Sequence, residues 1–484
     1  MADTLKQKAV SGISWSFVEQ ILTRGVNFVI GIILARLLSP TDYGLIGMLG
    51  IFIAIAQLFI DGGLASALIQ QKAPTDKDFS TVYIINLTLS VVFYFLLFFA
   101  APVIADFYQQ PLLASLMRVV ALILVIGSLS SIQNTLLTIR VDFKTKTIIS
   151  IATALSSGIA GIVCAYKGMG PWALVVQTLT ATTVSSVMAL CFVHWMPRMV
   201  FSKASFRKLF SYSSKLLAAS VISVVYDNTA PMLIGKRFSA ADVGIYTRAG
   251  QFPGVANSTV TSAMNRVAFP IFSRIQDDDE RLLGVYEKYL QMFCFLIFPL
   301  LMGICGCARP MVSLLLTDKW LACVPLMQII CFSLLPNGMI TINLNLLYVK
   351  GRTDLLLKME IIKKSLAFAV LLLATLFFDL KIICYGLVLN ALIDLYFSSF
   401  YTRKILDYTL WQQLKAVSPY FFMSLVVLAE SLLVTRLIHH NLLSLLVSLA
   451  VCIPTYAVLA KGFRLYAYQE LMAEVRKRIL KRNS

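Results

Sequence analysis

Leu37-Leu-Ser-Pro-Thr-Asp-Tyr-Gly-Leu-Ile-Gly47 sets a short polar turn between two long apolar runs. Ser39 and Asp42 have capping-box spacing, in which Ser caps a helix start and the acid three residues on answers it. Pro40 suits the first helical position, where a missing N–H goes unnoticed. The stretch therefore reads as a turn that starts a helix. Ser239-Ala-Ala-Asp-Val-Gly-Ile245 repeats it, with Ser, Asp and Gly at the same spacing, and Arg36 precedes the first copy as Arg237 precedes the second. A weaker echo pairs Leu136-Leu-Thr-Ile-Arg140 with Leu346-Leu-Tyr-Val-Lys350.

The runs around these turns decide the class. Of 484 residues, 58% are hydrophobic and only 14% charged, with a mean hydropathy of +0.81. A soluble chain is about a quarter charged. Apolar runs near 20 residues recur along the whole chain, each able to cross a ~30 Å hydrocarbon core as a helix. Short alternating segments, the sign of a β-barrel, are not the pattern here. The reading is an all-α polytopic membrane protein with about 14 transmembrane helices. They are expected at 12–35, 42–61, 81–105, 115–139, 147–166, 171–195, 211–234, 248–272, 286–308, 322–349, 358–378, 381–402, 418–437 and 441–460. The eighth, rich in Ser, Thr, Asn and Gly, departs most from an apolar pattern. The first is too long for a signal h-region and reads as a retained span.

The net charge is +18. Its basic residues lie in short loops and the tail, so topology explains them and nucleic acid does not. With the N-terminus in the cytoplasm, inside loops hold roughly three times the Lys and Arg of outside loops. Fourteen spans then return the C-terminus to the cytoplasm.

Each polar turn follows an odd-numbered span, the first and the seventh. An echo spaced by six spans gives two pseudo-symmetric six-helix lobes with two helices appended, a transporter design. The expected division is 1–195 for the N-terminal lobe, 196–210 for a basic cytoplasmic linker and 211–402 for the C-terminal lobe. Spans 13 and 14 fill 403–462, and 463–484 reads as a basic amphipathic tail lying on an anionic leaflet.

The sequence resembles the Wzx-type polysaccharide flippases of the multidrug/oligosaccharidyl-lipid/polysaccharide (MOP) exporter superfamily. The branch it resembles is that of lipopolysaccharide biosynthesis proteins and colanic-acid exporters. The resemblance rests on Leu34-Ala-Arg-Leu-Leu-Ser-Pro-Thr-Asp-Tyr-Gly44 and Asp61-Gly-Gly-Leu-Ala-Ser-Ala-Leu-Ile-Gln70. Gly244-Ile-Tyr-Thr-Arg-Ala-Gly250, Phe269-Pro-Ile-Phe-Ser-Arg-Ile-Gln276 and Asp318-Lys-Trp320 extend it over most of the chain. It implies a MATE-like V of two lobes around a central cavity. It also implies translocation of a polyprenyl-pyrophosphate-linked oligosaccharide by alternating access, in the bacterial cytoplasmic membrane. The expected partners are that lipid-linked substrate, membrane lipids, H+ or Na+, and other polysaccharide-assembly membrane proteins. Energy would come from an ion gradient or from removal of substrate on the far side.

Ionisable residues at membrane depth are costly and usually face a cavity or a partner. At ~100° per residue, Gln20, Thr23, Arg24 and Asn27 form one polar stripe on the first span, with Glu19 at its edge. The stripe reads as a cavity wall with Arg24 as an anion contact, or as a helix interface holding a Glu19–Arg24 pair. On the eighth span Arg248, Gln251, Asn265 and Arg266 share a face. Guanidinium groups hold phosphate oxygens in a bidentate fork, which suits a pyrophosphate. Arg248 equally fits the outer headgroup level. Asp61 reads as a coupling carboxylate or counter-ion for Arg24, or as part of an Asp61-Gly-Gly turn, and Asp227 on span seven is a further buried charge partner. Arg118, Glu360, Asp394 and Glu430 lie in or near spans without a stripe.

Other features point away from enzymes. Asp277-Asp-Asp-Glu280, beside Arg274 and Arg281, reads as a solvated charge run rather than a metal site. The nine cysteines lie mostly in apolar runs and read as small buried hydrophobes. No P-loop, dinucleotide motif or metalloprotease signature occurs, so no cofactor and no metal are expected. A cation-coupled multidrug exporter of the same superfamily is the nearest alternative, though its pocket should be acidic and aromatic. A membrane glycan polymerase or ligase would need a large outside loop, which this chain lacks.

Overall fold

A computed structural model describes residues 22–473 except 72, 73, 199 and 378. The described residues are helical apart from turns, one 3-10 turn and short irregular stretches, the longest at 194–198 and 200–202. Residues 22–37 form α1. Then come α2 (Pro40–Asp61), α3 (Leu64–Gln70), α4 (Asp76–Tyr108), α5 (Leu112–Val120), α6 (Leu122–Ser128) and α7 (Ser131–Ile139). Next are α8 (Phe143–Tyr166), α9 (Trp172–Phe192), α10 (Lys203–Arg237), α11 (Ala240–Arg274), α12 (Asp279–Gly306) and α13 (Ala308–Leu315). After the 3-10 turn Asp318–Trp320 come α14 (Cys323–Leu334), α15 (Asn337–Val349), α16 (Thr353–Phe377), α17 (Leu380–Leu406), α18 (Leu410–Leu437) and α19 (Asn441–Gly462), and residues 466–473 are helical again.

The described part of every expected span falls on a helix or on consecutive short helices, residues 12–21 of the first span lying outside the described residues. Nine described helices are long and apolar enough to cross a membrane, or ten if the bent pair Leu112–Ser128 and Ser131–Ile139 is one span. The helices at spans eight and eleven are long enough as well, but α11 is markedly polar and α16 carries Glu360, Lys363 and Lys364 within its apolar run. Span eight is one unbroken helix, α11, through Pro253 and Pro270. Helices also overrun the expected ends. α4 begins at Asp76, capped by a reciprocal Thr75–Asp78 box, and the chain continues after α2 as α3 because Gly62 and Gly63 turn with φ of +49° and +73°.

The chain packs as two compact units, one ending at Gly244 and one beginning at Ile245. This packing boundary falls inside α11, later in the chain than the 196–210 linker read from the repeat. In the first unit, α10 packs on α2, α3 and α4. The hydroxyl pairs Ser90–Ser128 and Ser130–Ser186, each at 2.9 Å, tie helices where lipid offers no hydrogen bonds. In the second unit a large core centres on α12, with Tyr286, Phe293, Leu301 and Met302 fully buried. Beside it Asn343 joins Tyr286, Ser398, Ser399, Thr402 and Gln413 in one buried polar hub across α12, α15, α17 and α18.

Both sequence repeats fold alike. Ser39 and Asp42 make the reciprocal box, with Asp42 Oδ2 accepting from the Ser39 N–H at 2.8 Å. Asp242 Oδ2 accepts from the Ser239 N–H at 3.1 Å. The two helix starts also meet. A Cβ on Gly44 would fall 1.6 Å from the Ala240 carbonyl oxygen, and one on Gly244 would fall 1.9 Å from that of Pro40. Each glycine thus sits against the first residue of the other helix.

Candidate functional site

In the first unit, α1 owes its orientation to its apolar side. Ile30 and Leu34 are buried with Ala165, Ala173 and Leu174 of α8 and α9. Gly158 makes room for this, since a Cβ there would overlap Ile30 Cδ1 at 2.1 Å. Arg24 and Asn27 on the same helix are exposed. A cation in this half of the site therefore stands on a helix fixed by the packing of its apolar residues. Glu19 and Gln20 lie outside the described residues. Asp227, on α10, is exposed, and the next residue, Asn228, donates to the Val224 carbonyl at 2.8 Å. Asp61 ends α2 beside Gln57, directly before the Gly62 turn.

In the second unit, α11 carries the remaining residues. Arg248 is 8% exposed. Its guanidinium donates to Gln251 and lies 5.8 Å from the ring centroid of Trp320, which is fully buried. The Cys323 thiol donates to the Ile245 carbonyl oxygen at 3.3 Å, closing the same corner. Arg248 is thus held in place by a stack and a side-chain hydrogen bond, with little of it uncovered. Arg266 is exposed, and its neighbour Asn265 accepts from Asn345 Nδ2 at 2.8 Å. At 1.5 Å rise per residue, Arg248 and Arg266 stand roughly 27 Å apart along the helix. The shared face is a track with a cation near each end rather than a single pocket.

The acidic run has local work to do. Asp278 caps α12 through the Arg281 N–H at 3.0 Å, and Asp279 pairs with Lys350 at 2.6 Å. Among the described residues no group of His, Cys, Asp and Glu is placed to hold a metal.

A family model described as polysaccharide biosynthesis protein matches residues 33–325, more than half of the chain. The chain belongs to this family. The chain is similar to lipopolysaccharide biosynthesis protein WzxC of Escherichia coli (strain K12), 27% identical over 369 residues, 75% of this chain and 74% of WzxC. Teichuronic acid biosynthesis protein TuaB of Bacillus subtilis (strain 168) is 25% identical over 73% of each chain. Succinoglycan biosynthesis transport protein ExoT of Rhizobium meliloti (strain 1021) is 25% identical over 69% of this chain and 68% of its own. Among solved structures, lipid II flippase MurJ in an inward closed conformation has a TM-score of 0.77 at 14% identity, over 95% of this chain and 100% of that one. An inward-facing multidrug resistance MATE family transporter of the MOP superfamily has a TM-score of 0.60 at 14% identity, over 82% and 98%. The fold of this family member is therefore the polytopic helical fold of MurJ and the MATE transporters.

One cluster escaped the sequence reading. Lys363 on α16 is 3% exposed and paired with Glu360 at 2.9 Å and Asp394 at 3.6 Å. Glu360 and Asp394 were singled out, but not the lysine between them. The available signal was the three-residue spacing of Glu360 and Lys363, which places them on one helix face.

Proposed function

We propose that this protein is a membrane transporter, not an enzyme, that flips a polyprenyl-pyrophosphate-linked oligosaccharide across the cytoplasmic membrane for surface polysaccharide assembly. The observation that carries it is family membership joined to arginine-bearing helices at membrane depth. The relatives are named for the biosynthesis of lipopolysaccharide and teichuronic acid and for succinoglycan biosynthesis transport, and one neighbour in fold is named as a lipid II flippase. Cationic groups on α1 and α11 supply what a pyrophosphate needs.

In this reading Arg24, Gln20 and Asn27 contact the headgroup from the first lobe, 1–195. Arg248, Gln251, Asn265 and Arg266 do so from the second, 211–402, with Glu19, Asp61 and Asp227 as charge partners. The two ends of the α11 track suit an anion that enters at one side of the membrane and leaves at the other. Both termini face the cytoplasm, and the cycle draws its energy from an H+ or Na+ gradient or from removal of substrate on the far side. The multidrug-exporter alternative shares the fold, so fold does not separate the two. Arginines in the track do, because they repel cationic drugs.

The test is reconstitution into liposomes with a fluorescent polyprenyl-pyrophosphate oligosaccharide. Wild-type protein should translocate it. Arg24→Ala should insert normally and lose at least about tenfold in rate, the factor for 1.4 kcal/mol of lost anion binding. Efflux of a cationic dye with no glycan movement would overturn the assignment.

A further inference from the structure

The charge cluster on α16 and α17 is not used by the track described above. Lys363 and Asp394 both stand well inside their helices, away from either end, and a charge within a membrane-spanning helix is costly. Lys363 is sealed at 3% exposure, whereas the side chains of Glu360 and Asp394 keep 36% and 32% of their surface uncovered by protein. The ammonium donates to Glu360 Oε1 at 2.9 Å and stands 3.6 Å from Asp394 Oδ2. Lys364, four residues after Glu360, is the second cation of the cluster, and Lys363, Glu360 and Lys364 are the charges that act on Asp394. The helices α14 and α15, packed on α17, bring no acid and no base, only Cys323, Cys331 and Tyr348. On α18, Lys415 and Arg436 lie towards the helix ends, with Glu430 between them.

We infer that Glu360, Lys363 and Asp394 form the proton-binding site that couples transport to an ion gradient, with Asp394 as the carboxylate that takes the proton. The inference rests on the transporter reading. A metal cation is disfavoured because the Lys363 ammonium already occupies the space between the carboxylates. A proton needs no such space, since it binds one oxygen. Asp394 is the acceptor because its contact with Lys363 is the longer of the two, so less attraction opposes its neutralisation. The step is simple: a proton from water forms an O–H bond on Asp394, and Lys363 keeps its protons and stays with Glu360. Two changes follow. The attraction between α16 and α17 through Asp394 is lost, and the cluster gains one positive charge on which a membrane potential can act.

The experiment uses the purified full chain in liposomes with two readouts. In infrared titration, the C=O band of a protonated carboxylic acid should appear as pH falls. It should shift on 13C-aspartate labelling and vanish in Asp394→Asn. In transport, a proton gradient should accelerate wild-type translocation of the fluorescent substrate, and a sodium gradient should not. Asp394→Asn should lose that acceleration, while Glu360→Gln should keep it with a shifted pH profile. A band unmoved by aspartate labelling, or an Asp394→Asn protein that still answers the proton gradient, overturns the inference. Wild-type protein that moves no glycan counts against the flippase reading instead, and the labelled band still decides the proton site.

Discussion

Val141 is a residue whose backbone the repeat explains. It follows Arg140 with φ of +57°, and Gly351 follows Lys350 with φ of +66°. The bonds around them match. Arg140 N–H donates to Leu136 and Asp142 N–H to Leu137, as Lys350 N–H does to Leu346 and Arg352 N–H to Leu347. One copy uses the residue suited to a left-handed turn and the other a β-branched residue that costs about 1–2 kcal/mol there. Val141→Gly should therefore stabilise the protein by about 0.5–1 kcal/mol, after the added freedom of the unfolded chain is subtracted. Gly351→Val should destabilise it by about 1–2 kcal/mol. Thermal unfolding in detergent reads both, and a less stable Val141→Gly protein would refute the strain argument. Arg248 shows the limit of such local reading. Its i,i+3 partner Gln251 was legible as a shared face. Its stack on Trp320 joins positions far apart in sequence and was not.

At the scale of helices, the two capping boxes were legible because capping is local chemistry. Their meeting was not, since nothing in Gly44 or Gly244 names the other. The contact predicts a specific coupling. Gly44→Ala or Gly244→Ala alone must push a methyl into a backbone carbonyl, costing about 1–3 kcal/mol as the helices move apart. Once they have parted, the second methyl meets open space. The double variant should therefore lose less than the sum of the two, with a coupling of at least about 1 kcal/mol. Additive losses in a thermal-unfolding cycle would mean that the helices part in a different way. α11, which falls short of a purely apolar pattern, was legible in the sequence as a polar face, whereas α16 showed only isolated charges without a stripe. Partial legibility of α16 has a plain cause. Its charges were visible, but burial of Lys363 depends on α17.

For the whole molecule, the positive-inside asymmetry predicts that both ends lie in the cytoplasm. Reporter fusions after Val349, at the end of span ten, and after the last helix should both be active only in the cytoplasm. A periplasmic C-terminal reporter would reverse the topology. Composition and the length of its apolar runs determined a polytopic helical membrane protein. The repeated turn determined where two helices start, because span length and capping depend on neighbours within a few residues. The tertiary structure alone decided that Gly44 faces Ala240, that Arg248 lies over Trp320 and that Lys363 is shared by Glu360 and Asp394. Those contacts join side chains from separate helices, and in lipid their pairing is set by close packing and polar matching that no local pattern encodes.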